Sequence, residues 1–407
     1  MKIAVYHNTD PGGARRAVHE MTRGLAGRGH TLWEFRARVG SGDEFPLPAP
    51  HYAGTRVWNL KPAPRASRWI PLFTPYLELG ALLIDLRRAD EAGRQAAGVI
   101  DARGFDLVFV HDCAIAENPY VLRYLSTPNA FYCHHGAGRA MPPRPFVRSD
   151  EGRFARLKGL YYAPAEWLST YARVRAARAN ARSAGEVWTN SYFARECLYA
   201  IHAIDSSVVR LGVDAVRFRP LNLPRQKFVL AVGALHPRKG HEFLLRSLGA
   251  IPERLRPRLV IAAHYVHPPY RGHLDRLARQ LNVDYELRQV SDDDELVRLY
   301  NRTLALVFAP VMEPFGLVIL EAMACGTPVV AVREGGAREI VRDGSTGLLT
   351  DRHPVQFAAA VGRLIQDGSL RQRLGDAGVA CARAQWPWER TIDLIEGRFQ
   401  DILSGPS

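Results

Sequence analysis

The chain has 407 residues, 47% hydrophobic and 23% charged, which excludes a disordered or fibrous protein and leaves room for two or three domains, each able to bury a core. Its formal net charge of +13 is either a solvated arginine-rich surface or an attraction for something anionic: a membrane, a phosphorylated substrate or nucleic acid. The five cysteines, Cys113, Cys133, Cys197, Cys325 and Cys381, are odd in number and scattered, with no CxxC; this argues against a disulfide framework and a zinc site, and a reducing cytoplasm is the simplest compartment.

In chain order, KIAVYH reads as a strand that starts at once, so no signal peptide is expected. Arg15 to Arg28 reads as a helix closed by Gly29, and TLWEF as the next strand. Trp69 to Leu86 is the most apolar stretch, but two prolines, Glu78 and Asp85 interrupt it, so it falls short of a spanning helix. Leu77 to Ile100 is helical, DLVFVH and NAFYCH are strands, a long helix covers Ala163 to Ala184, and EVWTN is a strand with a helix after it. From Arg139 to Arg182 there are ten Lys or Arg against three acidic residues.

RLGVDAVRFRPLNLPRQK has no clear period and two prolines, so it reads as a linker. The alternation then restarts: strand KFVLAVG, helix His241 to Gly249, strand RLVIAA, helix Leu274 to Leu281, then strands DYELRQV, LALVFAP and PVVAV with helices between them. Trp388 to Leu403 reads as a last helix. Such alternation, with nearly continuous apolar strands, predicts parallel sheets covered by helices on both faces. Two blocks and a linker predict an α/β protein of two doubly wound domains, residues 1–208 and 209–386, followed by a helix over 387–407. Ligands are expected at the carboxyl ends of the strands and in a cleft where the domains face each other.

Four stretches fall at such strand ends. HNTDPGGARR places Gly12 and Gly13 before a helix, where backbone can approach a ligand closely; the pair serves equally as a tight turn. VGALHPRKG ends a strand at Gly233 and puts Arg238 and Lys239 at a helix start. Cations are unfavourable there, so two of them suit a bound diphosphate better than idle surface charge. EPFGLVILEAMACGTPVVA makes a short helix over Gly316 to Ala324 whose free N–H groups suit a phosphate. Glu313 precedes that helix and Glu321 lies within it. Carboxylates accept hydrogen bonds from vicinal hydroxyls, so the pair can grip two polyols joined by a diphosphate, a sugar at Glu313 and a ribose at Glu321. The alternatives are an N-cap carboxylate for Glu313 and an exposed helix residue for Glu321. YCHHGAGR brings His134 or His135 to a strand end of the first domain, facing the sugar or serving the core.

At these residues the chain resembles the retaining nucleotide-sugar glycosyltransferases of family 4, glycosyltransferase group 1, which have the GT-B fold of two Rossmann-like domains facing each other across a cleft. EPFGLVILEAMACGTPVVA is similar to that family's Glu-x7-Glu signature, REGGAREIVRDGSTGLL to the segment after it, VGALHPRKG to its diphosphate loop, and TNSYFARECL with RLGVD to its interdomain segment. The resemblance spans about the whole chain and is stronger in the second domain.

It implies that Glu313 binds the donor-sugar hydroxyls with backbone N–H groups near Phe315, Gly316 and Leu317. Glu321 would bind the ribose, Arg238 and Lys239 the diphosphate (with Gly233 in that loop), and the backbone around Val290 the base. Gly12 and Gly13 would contact donor or acceptor, and His134 would sit by the transferred sugar, so that His134 and Glu313 serve catalysis. The last helix would cross back to the N-terminal, acceptor-side domain. Transfer from a nucleotide-diphosphate sugar to an acceptor hydroxyl would retain anomeric configuration and need no metal and no cofactor. Such chemistry belongs to glycan, glycolipid or cell-envelope polysaccharide synthesis.

Many relatives have arginine after the loop glycine where this chain has Ala234, and some carry His-Glu-Pro-Pro where it has His134-His135-Gly136-Ala137. The acceptor is open between a lipid-linked and a soluble glycan; the basic first domain and the amphipathic Trp69 to Arg88 region fit peripheral contact with an anionic membrane at the inner face of the cell. Rival readings are a GT-B nucleotide-sugar-binding protein without transfer, which Ala234 supports and the two glutamates oppose, and a phosphorylase or epimerase. A basic nucleic-acid binder is the third, though no nucleic-acid motif is found and no nucleic-acid partner is expected.

Overall fold

The computed structural model describes residues 1–9, 12–39, 51–63, 73–136, 153–290 and 292–405. The chain divides into two compact units, Met1–Val209 with Ile392–Ser407, and Arg210–Thr391.

The first unit is built on a parallel sheet of β1 (Lys2–Asn8), β2 (Thr31–Val39), β3 (Gly54–Leu60), β4 (Leu107–Cys113), β5 (Asn129–Cys133), β6 (Glu186–Thr189) and β7 (Ser207–Val208). Their spatial order is β3-β2-β1-β4-β5-β6-β7, with Ile3 opposite Leu32 on one side of β1 and opposite Leu107 on the other. The central strands β4 and β5 are buried throughout, which is why they read as unbroken apolar runs. The helix expected over Arg15 to Arg28 spans Gly13–Gly27, and the one expected over Leu77 to Ile100 spans Thr74–Asp101. The third, expected from Ala163, begins ten residues earlier and runs Arg153–Arg182 with Pro164 inside it. Proline there removes one N–H from the ladder; the carbonyl left without it belongs to Leu160, which is exposed to water.

β3 escapes the sequence pattern because it is an edge strand, exposed along most of its length and bearing Arg56 and Asn59 among its apolar residues. The last helix, Trp388–Ser404, delivers Phe399 fully buried against the rings of Phe109 and Trp188, at 5.2 and 5.6 Å. On the same helix Glu396 pairs with Arg28 and with His30, the latter at 2.6 Å.

The second unit has a parallel sheet of β8 (Phe228–Val232), β9 (Arg258–Ala263), β10 (Tyr285–Gln289), β11 (Leu306–Phe308), β12 (Val329–Val332) and β13 (Gly347–Thr350), in the order β10-β9-β8-β11-β12-β13. Leu230 of β8 faces Val260 of β9 and Leu306 of β11. The helix His241–Gly249 has the expected bounds, and Pro268–Gln280 replaces Leu274 to Leu281.

The stretch expected as a linker is packed rather than free. Leu211, Val213 and Phe218 are buried, and the Asn301 amide bonds both Leu221 N (2.6 Å) and Arg219 O (3.0 Å). It lacks a period because it borrows its partners from a helix eighty residues on. The expected joints at 208/209 and 386/387 compare with divisions at 209/210 and 391/392. No disulfide joins the five cysteines, all of them buried. Among the described residues no helix is long and apolar enough to cross a membrane; Asp10 and Pro11, Trp69 to Leu72, Ala137 to Gly152, Ser291, Pro406 and Ser407 of the stretches discussed above lie outside the described residues.

Candidate functional site

In an open parallel sheet the crevice opens where strand order reverses, outside the carboxyl ends of the two strands that flank the reversal. In the second unit those strands are β8 and β11. The loop after β8 carries Gly233 to Gly240, and the loop after β11 carries Ala309 to Gly316. The two loops are tied together: Val311 N donates to Arg238 O at 2.8 Å, and Lys239 Nζ lies 2.8 Å from Glu313 Oε2. Lys239 and Glu313 remain partly accessible, and Arg238 is exposed. Arg238 and Lys239 do not open the helix itself; they form a 3-10 turn, Pro237–Lys239, which Gly240 joins to the helix His241–Gly249.

The loop before the helix Leu317–Ala324 is bracketed by positive φ at Met312 (56°) and Gly316 (107°). A non-glycine residue in that region marks stored strain, a feature that gathers at functional sites. Gly316 is the N-cap and no side chain caps the helix, so Glu313 is not its capping carboxylate. The backbone of Glu313 is instead gripped by the next segment: Gly336 N donates to Glu313 O at 2.9 Å. A Cβ on Gly335 would sit 2.3 Å from the same oxygen.

Glu321 is not an exposed helix residue either. It is 4% exposed and accepts a hydrogen bond from the Tyr300 hydroxyl at 2.7 Å. Phe315 is buried against the Trp386 ring at 5.7 Å, which leaves its backbone as the part that can meet a ligand. Val290 follows β10 and is nearly buried.

In the first unit the strand reversal lies between β1 and β4. Gly12 is the N-cap of the helix Gly13–Gly27. His134 follows β5 and is 5% exposed; its Nε2 lies 3.1 Å from His111 Nδ1 of β4, so one ring donates and the other accepts. The buried Asp112 carboxylate accepts from His134 N at 3.0 and 3.1 Å and pairs with His135. Burial pulls the His134 imidazole down to about 4, with Asp112 opposing and His135 and His7 reinforcing. His134 Nδ1 has no hydrogen-bond partner among the described residues.

His241 behaves alike in the second unit, drawn down to about 3 by burial first, then by Lys239 and His236. Both rings are neutral in the folded chain at neutral pH, whereas an unfolded histidine protonates near 6.5. Between those values the unfolded state binds more protons, so stability falls as pH drops from about 6.5 toward 4, by about 1.4 kcal/mol per pH unit per histidine. Denaturant titrations at pH 7.5 and 5.5 should show that loss. His241→Gln should remove its share, and an unchanged slope in that variant would place the titration elsewhere.

Residues 214–380 match the family described as glycosyl transferases group 1. The match is confined to this segment. It contains Gly233, Arg238, Lys239, Val290, Glu313 and Glu321. The D-inositol 3-phosphate glycosyltransferase of Acidothermus cellulolyticus is 37% identical over 214 residues, covering 49% of this chain and 47% of that protein. The protein of the same name from Mycobacterium marinum is 33% identical over 233 residues, covering 51% and 48%. The chain thus spans about half the length of the curated relatives it matches. Among solved structures, sucrose-phosphate synthase from Thermosynechococcus elongatus superposes with a TM-score of 0.72 at 20% identity over 99% of both chains. Anabaena Alr3699/HepE in complex with UDP and glucose does so with 0.68 at 18% identity, over 98% of this chain and 100% of that one. These likenesses show the fold, which is GT-B.

Several residues that shape the candidate site carry no sequence signal. Arg352 reaches back from the loop after β13 to Ala309 O (3.0 Å) and Pro310 O (2.7 Å) while pairing with Glu334 at 2.7 Å, and so holds the β11 loop. Tyr300 reaches Glu321 from the helix Asp293–Arg302. Tyr265, half-exposed after β9, is fastened to the loop after β8 through Leu235 N, which donates to Tyr265 O at 2.7 Å. Each meets its partner only through the fold.

Proposed function

We propose that the chain transfers a sugar from a nucleotide-diphosphate sugar to an acceptor hydroxyl with retention of anomeric configuration, as a member of family 4. The observation that carries this reading is the junction of Lys239 and Glu313 at the β8/β11 reversal, with exposed Arg238 beside it. A cation pair and a carboxylate there match a donor's two chemical halves, the diphosphate and the sugar hydroxyls. Glu321, held by Tyr300, takes the ribose, and the backbone at Val290 takes the base.

In the step itself the bond from the anomeric carbon to the β-phosphate oxygen breaks and a bond to the acceptor oxygen forms on the same face. Arg238, Lys239 and the N–H groups at Gly316 and Leu317 take up the negative charge that develops on the departing phosphate. The acceptor proton goes to a phosphate oxygen, so the step needs neither a carboxylate base nor a metal. The first unit, with Gly12, Gly13 and His134, is the acceptor side. The acceptor is a glycan, lipid-linked or soluble, and the work is done in the cytoplasm at the inner face of the membrane.

A thermal-shift screen of UDP-, GDP- and ADP-sugars tests the donor site. A ligand at a hundred times its Kd stabilises the fold by about 2.7 kcal/mol. One nucleotide should produce a clear rise, and Glu321→Gln should abolish it while still giving Tyr300 an acceptor. Alanine is the poorer choice, because orphaning the buried hydroxyl costs about 1–3 kcal/mol by itself. No rise with any of the three, in folded protein, would remove the transferase reading and favour a protein of this fold without a nucleotide-sugar donor.

A further inference from the structure

Two helices of the first unit expose large apolar side chains along one face each. On the helix Thr74–Asp101 and its N-cap, Phe73, Tyr76, Leu77, Leu83 and Ile84 recur at helical spacing and are 37% to 52% exposed. On the helix Arg153–Arg182 the face holds Leu160, Trp167, Leu168 and Tyr171, from 42% to 73% exposed. These are not core faces turned outward, because the opposite side of each helix is already buried: Leu82, Leu86 and Ala89 share a cluster with Ala172 and Ala176.

The helices lie side by side. The Tyr76 hydroxyl donates to Tyr161 O at 2.9 Å, with the two rings 5.3 Å apart. Tyr76 beside Tyr161, and Leu86 and Ala89 clustered with Ala172 and Ala176, means that both run in the same direction. The two stripes therefore sit at the same end of the pair and form one panel. One turn beyond it, exposed Arg87, Arg88 and Arg175 form a basic border. Glu78 and Glu166 are the exposed acids within the panel's span.

We propose that this panel seats the protein on an anionic lipid bilayer. Tyrosine and tryptophan combine an apolar body with a polar tip and favour the level of the headgroups. Aliphatic side chains beside them supply apolar area to bury in the acyl boundary, and bordering arginines meet anionic headgroups. A second copy of the chain is the other candidate occupant. It is disfavoured by charge where the helices of the two copies run parallel, since that two-fold contact would set the arginine border against itself. The surface extends the acceptor reading above to a hydroxyl presented at a membrane. Its test reads lipid binding separately from donor binding.

The full chain is sedimented with vesicles of equimolar phosphatidylglycerol and phosphatidylcholine, and with vesicles of phosphatidylcholine alone. The wild type should bind the anionic vesicles and bind the neutral ones far more weakly. Trp167→Ser with Tyr171→Ser, and Leu83→Ser with Ile84→Ser, should each weaken partitioning by about tenfold or more, given the apolar area removed. Arg87→Glu with Arg175→Glu should weaken it by at least about fivefold per arginine and only on anionic vesicles. All these positions are exposed, so unfolding midpoints and the nucleotide-sugar thermal shift should stay at wild-type values. The proposal is overturned by binding to neither vesicle, by serine variants that bind as the wild type does, or by a lipid-free dimer that the serine variants dissociate. A chain that binds vesicles but shows no nucleotide-sugar shift would fail only the donor reading.

Discussion

Lys239→Ala should lower kcat by about 10²- to 10³-fold, the usual effect of deleting one group that stabilises charge developing in a transition state. Lys239 occupies the loop after β8, and its ammonium is held 2.8 Å from Glu313 at the strand reversal. On the proposed reading the same ammonium would meet the β-phosphate as the anomeric bond breaks. The ion pair itself contributes little to the fold. Both partners are about a quarter to a third exposed, and such pairs contribute about 0–1 kcal/mol. The variant should therefore melt with the wild type while its turnover collapses. KM for the donor should rise less than kcat falls, because the interaction grows as charge moves onto the phosphate. Steady-state kinetics with the nucleotide sugar identified by thermal shift gives both numbers. A kcat within threefold of wild type would remove Lys239 from leaving-group stabilisation and leave Arg238 to carry it.

Gly240→Ala has the largest expected effect on stability. Gly240 has φ of +73° and joins the Pro237–Lys239 turn to the helix His241–Gly249. A Cβ there would stand 2.0 Å from the carbonyl oxygen of Ala309, far inside contact distance. The left-handed conformation alone costs a non-glycine residue about 1–3 kcal/mol. The overlap adds to it, because the opposing atom is backbone that Arg352 also holds. At about 2–4 °C per kcal/mol for a unit of this size, a 3 kcal/mol loss lowers the melting midpoint by about 6–12 °C. Gly362→Ala is the control: it lies in the helix Pro354–Gln366, where an added Cβ meets only Gln366 Nε2 at 3.9 Å, and it should gain about 0.5–1 kcal/mol. Equal melting of Gly240→Ala and wild type would mean that the two loops are free to part, and the Lys239–Glu313 junction would lose its scaffold.

These two residues show how differently parts of the site were legible. Lys239 was singled out as a cation near a helix start, although it lies in the 3-10 turn before that helix and its partner, Glu313, is seventy-four residues away. Glu313 and Glu321 were singled out by their spacing, one before a short helix and one within it. The roles of Tyr300, Glu334 and Arg352 could not, since each is separated from its partner by eighteen to forty-three residues and no local pattern marks the pairing. The misjudged linker over residues 210–227 has the same cause: its burial depends on Asn301.

By itself the sequence determined the α/β alternation, the central strands and most helices. Those signals come from burial on both faces of a strand or one face of a helix, which writes a short-range period into the chain. It also determined which strand ends carry cations and carboxylates. Only the tertiary structure decided the strand order, the edge strand β3, and the meeting of the β8 and β11 loops that brings Lys239 to Glu313. It also decided that Glu321 lies buried under a tyrosine and that two helices stand together to make an apolar panel. Each of these depends on residues distant in the chain becoming neighbours, and a periodic pattern carries no information about which neighbours those are.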